Sequence, residues 1–376
     1  MRPTGAVPVL HLCAGNLYGG VERIVAECAA DRGLCSRMSP SFGVCFEGRL
    51  AQEIDASGGE CERLGPARMS RPWTILRARR RLADMLQDEP PPVVVCHSSW
   101  MLGLAAPVVR SVRGTLVLWV HDRVSRATWP ERWAAGTRPE IIIANSRFTD
   151  ASVAVLYPGV PHIVVHAPVR ADLSGPSRFR MRQSMGVDDE TPVILVAGRF
   201  EQWKGHRQLI AALAAIVEPW QLWIAGAPQR PDEAAYERHL RDYVRESGVA
   251  DRVRFLGERR DVAACMRAAD IHCQPNTAPE PFGLAFIEAL YAGIPVVTSA
   301  LGGALEIVTD SCGVLVAPED TAALRRELRT LVMDPAARRR LGGGGPSRAR
   351  ELCDPERQLA ALAAVVCAAD ATLVPA

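Results

Sequence analysis

The chain has 376 residues, of which 48% are hydrophobic and 23% charged, with a formal net charge of +2. That length exceeds one ordinary core and suits two domains of usual size. A charge so near zero excludes a strong field for nucleic acid, and no apolar run approaches the ~20 residues that span a bilayer.

In chain order, strands are predicted at 7–14, 42–46, 93–97, 115–120, 140–145 and 162–165. Each is a short apolar run, and helix-period stretches such as VERIVAECAADRG lie between them. HAPVRADLSGPSRFR (166–180) carries Pro, Gly and Ser without periodicity and marks a domain break. Strands resume at 192–198, 221–226, 253–257, 270–276, 294–299 and 312–318, with RHLRDYVRESG and FIEALYAG as helices among them. GGGG (342–345) reads as a flexible loop and not a phosphate cradle, because no strand precedes it. Residues 354–370 read as a long final helix. Unbroken apolar strands alternating with helices imply parallel sheets covered on both faces. Twelve strands overfill one open sheet. The expected fold is therefore α/β, two doubly wound, Rossmann-like domains facing across a cleft, 1–168 and 169–353.

The eleven cysteines lack any CxxC or Cys/His metal spacing. Cys13, Cys45, Cys96 and Cys273 lie in or beside apolar runs, so the set reads as reduced core thiols of a cytoplasmic protein. MRPTGAVPVLHL lacks the charged-then-apolar layout of a signal peptide. Residues 1–170 hold no lysine and a small excess of arginine over acid. This mild positive bias suits an anionic partner or the inner face of a membrane. In RPWTILRARRRLADML, Arg77, Arg79, Arg80 and Arg81 stand beside Trp73, Leu76 and Leu82. Such a pattern is either a solvated helix back or a membrane-surface face.

In open parallel sheets ligands bind past the carboxyl ends of the strands, so the residues there are the candidates. After the first strand, Gly19 and Gly20 permit close backbone approach, and the helix beginning at Val21 offers free amides to an anion; a plain tight turn is the alternative. After later strands come His97, Ser98, Ser99 and Trp100, then His121 and Asp122, then Asn145 and Ser146. Asn145 or Ser146 reads as a helix cap. His121, a titratable ring with a carboxylate next door, suits polar or acid–base work.

The second half is more specific. Among 44 basic residues the only lysine is Lys204, in GRFEQWKGH between a predicted strand and a predicted helix. Arg199 after Gly198, and Lys204 before Gly205, would both point over a helix N-terminus. That arrangement suits a diphosphate: a planar fork for two oxygens and a compact ammonium for another. In PNTAPEPFGLAFIEALYAG, Glu280 sits in a Pro-rich loop, and a helix starting near Phe282 would carry Glu288 on its second turn. Two carboxylates there can accept hydrogen bonds from sugar hydroxyls, with the amides of Phe282, Gly283 and Leu284 as donors. LGGALEIV (301–308) repeats the glycine-then-helix layout, with Glu306 in the first turn.

Taken together, Gly19-Gly20 with Glu22, His121-Asp122, Gly198-Arg199 with Lys204-Gly205, Glu280-Pro281-Phe282-Gly283 with Glu288, and Gly302-Gly303 with Glu306 resemble a family 4 retaining glycosyltransferase of the GT-B class. The resemblance implies an acceptor-binding first domain, a nucleotide-sugar-binding second domain, and a final helix (354–376) crossing back onto the first. It implies that Arg199 and Lys204 hold the donor diphosphate and neutralise the leaving group, and that Glu288 binds ribose. Glu280 with Phe282, Gly283 and Leu284 would hold the sugar, and Gly19 and Gly20 would approach the diphosphate or acceptor. Glu258 or Arg259 would contact the base, and His121 would lie near the anomeric centre. The catalytic set is then His121, Arg199, Lys204 and Glu280, with His97, Ser99 and Asp122 on the acceptor side. The donor would be a UDP or GDP sugar, with no permanently bound cofactor, and the acceptor a hydroxyl of a glycan, lipid-linked sugar or small molecule. No DxD motif is present, so protein cations are expected to do the work of a metal. Three other readings are a pyridoxal-phosphate phosphorylase-like enzyme using Lys204, a non-catalytic nucleotide-sugar-binding protein, and a sugar-nucleotide epimerase of similar fold.

Overall fold

Strands β1 (Val7–Cys13), β2 (Met38–Val44), β3 (Cys61–Arg63), β4 (Val93–Cys96), β5 (Thr115–Val120), β6 (Ile141–Ala144) and β7 (His162–Val164) form one sheet in the order β3-β2-β1-β4-β5-β6-β7. A second sheet holds β8 (Val193–Ala197), β9 (Gln221–Ala225), β10 (Val253–Gly257), β11 (Ile271–Gln274), β12 (Val296–Ser299) and β13 (Gly313–Val316), ordered β10-β9-β8-β11-β12-β13. This computed structural model describes residues 6–87, 93–125 and 127–371. The first five residues of the amino-terminal stretch lie outside that range. All strand pairings are parallel.

Central strands are apolar because helices cover both of their faces: β4, β5 and β8 are buried along their whole length. Edge strands need no such run. That is why β3, Cys-Glu-Arg, escapes detection by apolar pattern; β2, flanked by β3 and β1, begins at Met38, four residues before the predicted start, because its half-buried Ser39-Pro40-Ser41 segment is not apolar. Both sheets reverse direction of growth beside their first strand, at β1/β4 and at β8/β11. Such a reversal is where a doubly wound sheet offers a ligand crevice.

The chain divides into two compact units, 1–169 with 353–376, and 170–352. In the first, the helix Pro355–Ala371 packs on β1, β4 and β5 through Leu359, Leu362 and Val366, all fully buried. In the second, the buried Arg182 on helix Arg178–Ser184 donates to Asp270 (3.1 Å) and to the carbonyl of Ala268 (3.0 Å), clamping the unit's first helix to the entry of β11. Each unit has its own apolar core, around Val94, Leu104 and Leu118 in the first and around Ile194, Leu213 and Ile224 in the second.

The glycine run at 342–345 is not a loop. It lies inside the helix Pro335–Cys353. Its glycines are there for contact rather than freedom: a Cβ on Gly342 would stand 2.1 Å from the carbonyl oxygen of Gly293, and one on Gly344 2.1 Å from that of Ser311. Four glycines in a helix cost stability through backbone entropy, offset here by a helix backbone seated directly on its neighbours. Gly343 alone faces open space. Gly343→Ala should therefore raise stability by about 0.5–1 kcal/mol. Gly344→Ala should lower it by about 1–3 kcal/mol through overpacking. Urea unfolding of both variants checks this, and equal effects would contradict the packing account.

Candidate functional site

The loops after β8, β11 and β12 meet at the carboxyl edge of the second sheet, and glycines let them touch. A Cβ on Gly205 (φ +74°) would lie 1.9 Å from the carbonyl oxygen of Pro275, and one on Gly302 (φ +61°) 2.3 Å from that of Glu280. Only glycine fits either position. Gly303 N–H donates to the Glu280 carbonyl (2.8 Å), and Thr277 N–H to that of Trp203 (2.7 Å). Backbone is thus locked on backbone around Lys204 and Glu280.

Lys204 closes a short 3-10 turn, Gln202–Lys204, just before helix His206–Ala214. Its Nζ donates to Glu280 Oε2 at 3.2 Å and lies 4.3 Å from the Trp203 ring centroid. Gln274 Nε2 donates to the same carboxylate oxygen (3.0 Å) and to Asn276 Oδ1 (2.9 Å). Arg199, leaving β8, pairs with the buried Glu233 and, at 3.5 Å, with Glu201. Buried polar atoms in this region without a hydrogen-bond partner include Arg199 Nε, Gln274 Oε1, Asn276 Nδ2 and Ser299 Oγ. Buried polar atoms normally find partners, so orphans on adjoining strand ends are what a polar ligand would satisfy. Gln274 and Asn276 were not singled out from sequence. The signal was there, in two amide side chains ending the otherwise apolar run at 270–276.

Helix Leu284–Tyr291 begins two residues after Phe282, with Gly283 (φ 114°) as its cap. Phe282 is buried and anchors the loop, while Glu288 is half-buried on the second turn. Glu306 lies in the four-residue helix Ala304–Ile307. Arg259 makes a two-pronged pair with Asp261 (2.7 and 2.8 Å), whose hydrogen bonds raise its pKa.

In the first unit, Glu22 reaches back to the Gly19 amide (3.0 Å) and closes the start of helix Gly20–Ala30, which begins one residue earlier than expected. A Cβ on Gly19 would meet nothing closer than Glu22 Oε2 at 3.7 Å, so internal packing does not demand glycine there. Ser98 caps helix Ser99–Ser111, and Ser146 caps Arg147–Asp150. Asn145 instead donates to the His121 carbonyl (3.1 Å). Asp122 is exposed and accepts from the Arg123 amide (2.7 Å). The ring of His121 is held not by Asp122 but by His97, whose Nδ1 lies 2.9 Å from His121 Nε2. Both ring nitrogens of His97 are engaged, the other by His11 at 3.0 Å. His97 therefore has no ring nitrogen left over for a further partner. Among the described residues no three His, Cys, Asp or Glu side chains converge as a metal site.

The family model described as "Glycosyl transferases group 1" matches residues 177–348. D-inositol 3-phosphate glycosyltransferase of Xylanimonas cellulosilytica is 36% identical over 202 residues, 53% of this chain and 47% of that protein. Glycogen synthase of Mycobacterium tuberculosis is 30% identical over 297 residues, 71% of this chain and 68% of that protein. The chain belongs to the group 1 glycosyl transferases. Its match spans about half the length of the inositol phosphate enzyme. The fold is GT-B: Anabaena HepE, in a complex with UDP and glucose, superposes with a TM-score of 0.85 at 22% identity, covering 96% of this chain and 100% of that one.

Burial keeps five of the chain's eight histidines neutral. It lowers His11 to about 4 and His121, His206 and His272 each to about 3, and it drives His97 well below the ordinary range, helped by His121 and His11. The unfolded chain takes up these protons near pH 6.5, and the native state does not. Unfolding thus binds protons, and stability is complete above about pH 6.5 and lost as pH falls toward 4. Thermal unfolding should show a falling Tm between pH 7.5 and pH 5, before carboxylates titrate. An unchanged Tm over that window would contradict neutral burial.

Proposed function

We propose that this chain transfers a sugar from a nucleoside diphosphate sugar, of UDP or GDP, to a hydroxyl acceptor, with retention of anomeric configuration and without a metal. The observation that carries the reading is that Arg199 and Lys204 both follow β8 at the β8/β11 reversal, where Arg199 Nε, Gln274 Oε1 and Asn276 Nδ2 are buried without protein partners. A diphosphate would take Arg199 Nε and Lys204 Nζ as charge-assisted donors. Glu280, held by Lys204 and Gln274, would accept from a sugar hydroxyl, and Glu288 from ribose. The first-turn amides at Gly283 and Leu284 would add donors at a helix start. Gly19 and Gly20 we assign to the diphosphate or acceptor, and Arg259 to the base edge, with Asp261 fixing its plane. HepE's complex with UDP and glucose supports UDP as the nucleotide.

In the transfer, the bond from anomeric carbon to phosphate oxygen breaks, and the acceptor oxygen bonds that carbon on the same face. The acceptor proton passes to the departing phosphate oxygen. Lys204 and Arg199 stabilise the charge that builds on the diphosphate, the term that most accelerates such steps. Asp122 and Ser99 we place on the acceptor side. A Lys204 already paired with a carboxylate suits this ionic role better than an imine to pyridoxal phosphate. Eleven free thiols, all but Cys61 and Cys367 buried, suit a reducing cytoplasm.

Thermal shift with UDP, GDP and their sugars should show stabilisation by one nucleotide class. In Lys204→Ala and Arg199→Ala that shift should shrink and turnover fall about ten- to a hundredfold each. Near-normal binding and rates in both variants would refute the diphosphate assignment, and binding without turnover against any acceptor would favour a non-catalytic role.

A membrane-surface role for the first unit rests on helix Pro72–Gln87. Arg79 turns inward to the carbonyls of Gly103 and Leu104 (3.0 Å each), and Leu82 is buried. Trp73 (61% exposed) and Leu76 (65%) remain outside with Arg77 and Arg80, an aromatic-basic face suited to anionic lipid. No helix among the described residues is long and apolar enough to cross a membrane. Vesicles containing anionic lipid should sediment the protein at low salt and lose it in Trp73→Ser with Leu76→Ser. Equal recovery with neutral vesicles would exclude the charge component.

A further inference from the structure

Three imidazoles run in line across the first sheet's reversal, from β1 to the ends of β4 and β5. His11 Nδ1 lies 3.0 Å from His97 Nε2, and His97 Nδ1 lies 2.9 Å from His121 Nε2. His11 is fully buried, and His97 is 2% exposed. The outer atoms of the row, His11 Nε2 and His121 Nδ1, are buried without a protein partner. Ring nitrogens face each other pairwise, so they share no point at which one metal ion would sit, in keeping with the absence of a metal cluster among the described residues.

We infer that His11 and His97 are positioning residues that hold His121 as its Nδ1–H tautomer, so that His121 meets a ligand oxygen as a hydrogen-bond donor and not as a base. A neutral imidazole has one N–H and one lone pair. Two links in series therefore allow only two complete arrangements. In the outward one, His11 Nδ1–H donates to His97 Nε2, and His97 Nδ1–H donates to His121 Nε2, leaving His121 with a proton on Nδ1. In the inward one every link reverses, and the spare proton lies on His11 Nε2.

The buried end decides between them. His11 stacks on Phe42 with centroids 5.4 Å apart and ring planes 21° apart. An N–H on His11 Nε2 would lie near the plane of its own ring, aimed past the Phe42 face and at no acceptor. A buried N–H without a partner is rarer in proteins than an under-satisfied acceptor. The inward arrangement strands an N–H in the core. The outward one leaves only a bare lone pair there and places the N–H on His121 Nδ1, which also lacks a protein partner but belongs to a half-buried residue at the carboxyl end of β5, where a ligand oxygen can satisfy it. Trp119 flanks both His97 and His121 at 5.3 Å, and Asn145 donates to the His121 carbonyl, so the ring is packed on one face and its backbone is tethered. His121 Nε2 is occupied by the His97 proton and its Nδ1 already carries one, so the ring has no site to accept a proton from an acceptor hydroxyl.

This inference rests on the sugar-transfer reading for what His121 does to a ligand, but the tautomer itself is tested without one. In ¹⁵N-histidine-labelled protein free of substrate, NMR should show His121 protonated at Nδ1 and bare at Nε2. A proton on His121 Nε2 would overturn the proposal whatever the protein's activity. His97→Leu removes the donor and should shift His121 toward the Nε2–H tautomer, lowering kcat by about tenfold with nucleoside diphosphate affinity unchanged. His97→Asn, whose amide N–H stands near the lost Nδ1–H, should restore the Nδ1–H tautomer and part of the lost kcat. His97→Leu with both tautomer and kcat unaltered would also overturn it. If no donor is turned over by the wild type, the transfer reading fails while the NMR result still decides the tautomer.

Discussion

Reversal of strand order at the first strand of each sheet is the constraint on which the rest depends. At β1/β4 and at β8/β11 the chain departs to opposite sides, so the loops diverge and leave the strand ends uncovered. Polar side chains that would be costly elsewhere in a buried sheet collect at these two places. The first sheet has His11 and His97 there. The second has Lys204, Gln274 and Glu280. Each group is satisfied mainly by its own members, with a few atoms left over: His11 Nε2 and His121 Nδ1 in one unit, and Arg199 Nε, Gln274 Oε1, Asn276 Nδ2 and Ser299 Oγ in the other.

The two constellations solve different problems. In the second unit, a lysine and a carboxylate are brought together by loops that glycine packs to backbone contact, so the ammonium is placed by main chain and not by a long mobile stem. Pairing with Glu280 also keeps the cation from sitting alone at a half-buried position, where an uncompensated charge is costly. In the first unit no charge is used. Burial holds the histidines neutral, and their order comes from direction: each ring can give one hydrogen bond and take one. Placement by charge suits an anionic diphosphate. Placement by neutral donors suits hydroxyls and ring oxygens.

Much of this was legible in sequence because the fold is written in apolar runs. Central strands such as VVVC and VILVA must be continuous when both faces are covered, and they were found. The edge strand at Cys61–Arg63 was not, since an edge has no such need. The single lysine drew attention to its loop but not to its partner there, Glu280, a contact 76 residues apart in the chain. What sequence did not show was pairing across strands. Nothing local links His11 to His97, because their contact follows from β1 and β4 being neighbours, which strand order decides. The glycine run at 342–345 misled for a related reason: glycine signals freedom when read locally, and here it marks close approach by residues 293 and 311, far away in sequence. Asp122 is next to His121 in sequence, but the ring's hydrogen-bond partner is His97.

The most direct test of the central claim, that the β8/β11 reversal is built around a diphosphate, is a crystal structure of the protein with a bound nucleoside diphosphate. The account predicts phosphate oxygens within hydrogen-bond distance of Arg199 Nε and Lys204 Nζ, with Glu280 still beside Lys204. A diphosphate bound elsewhere, with Arg199 and Lys204 keeping only their carboxylate partners, would contradict it.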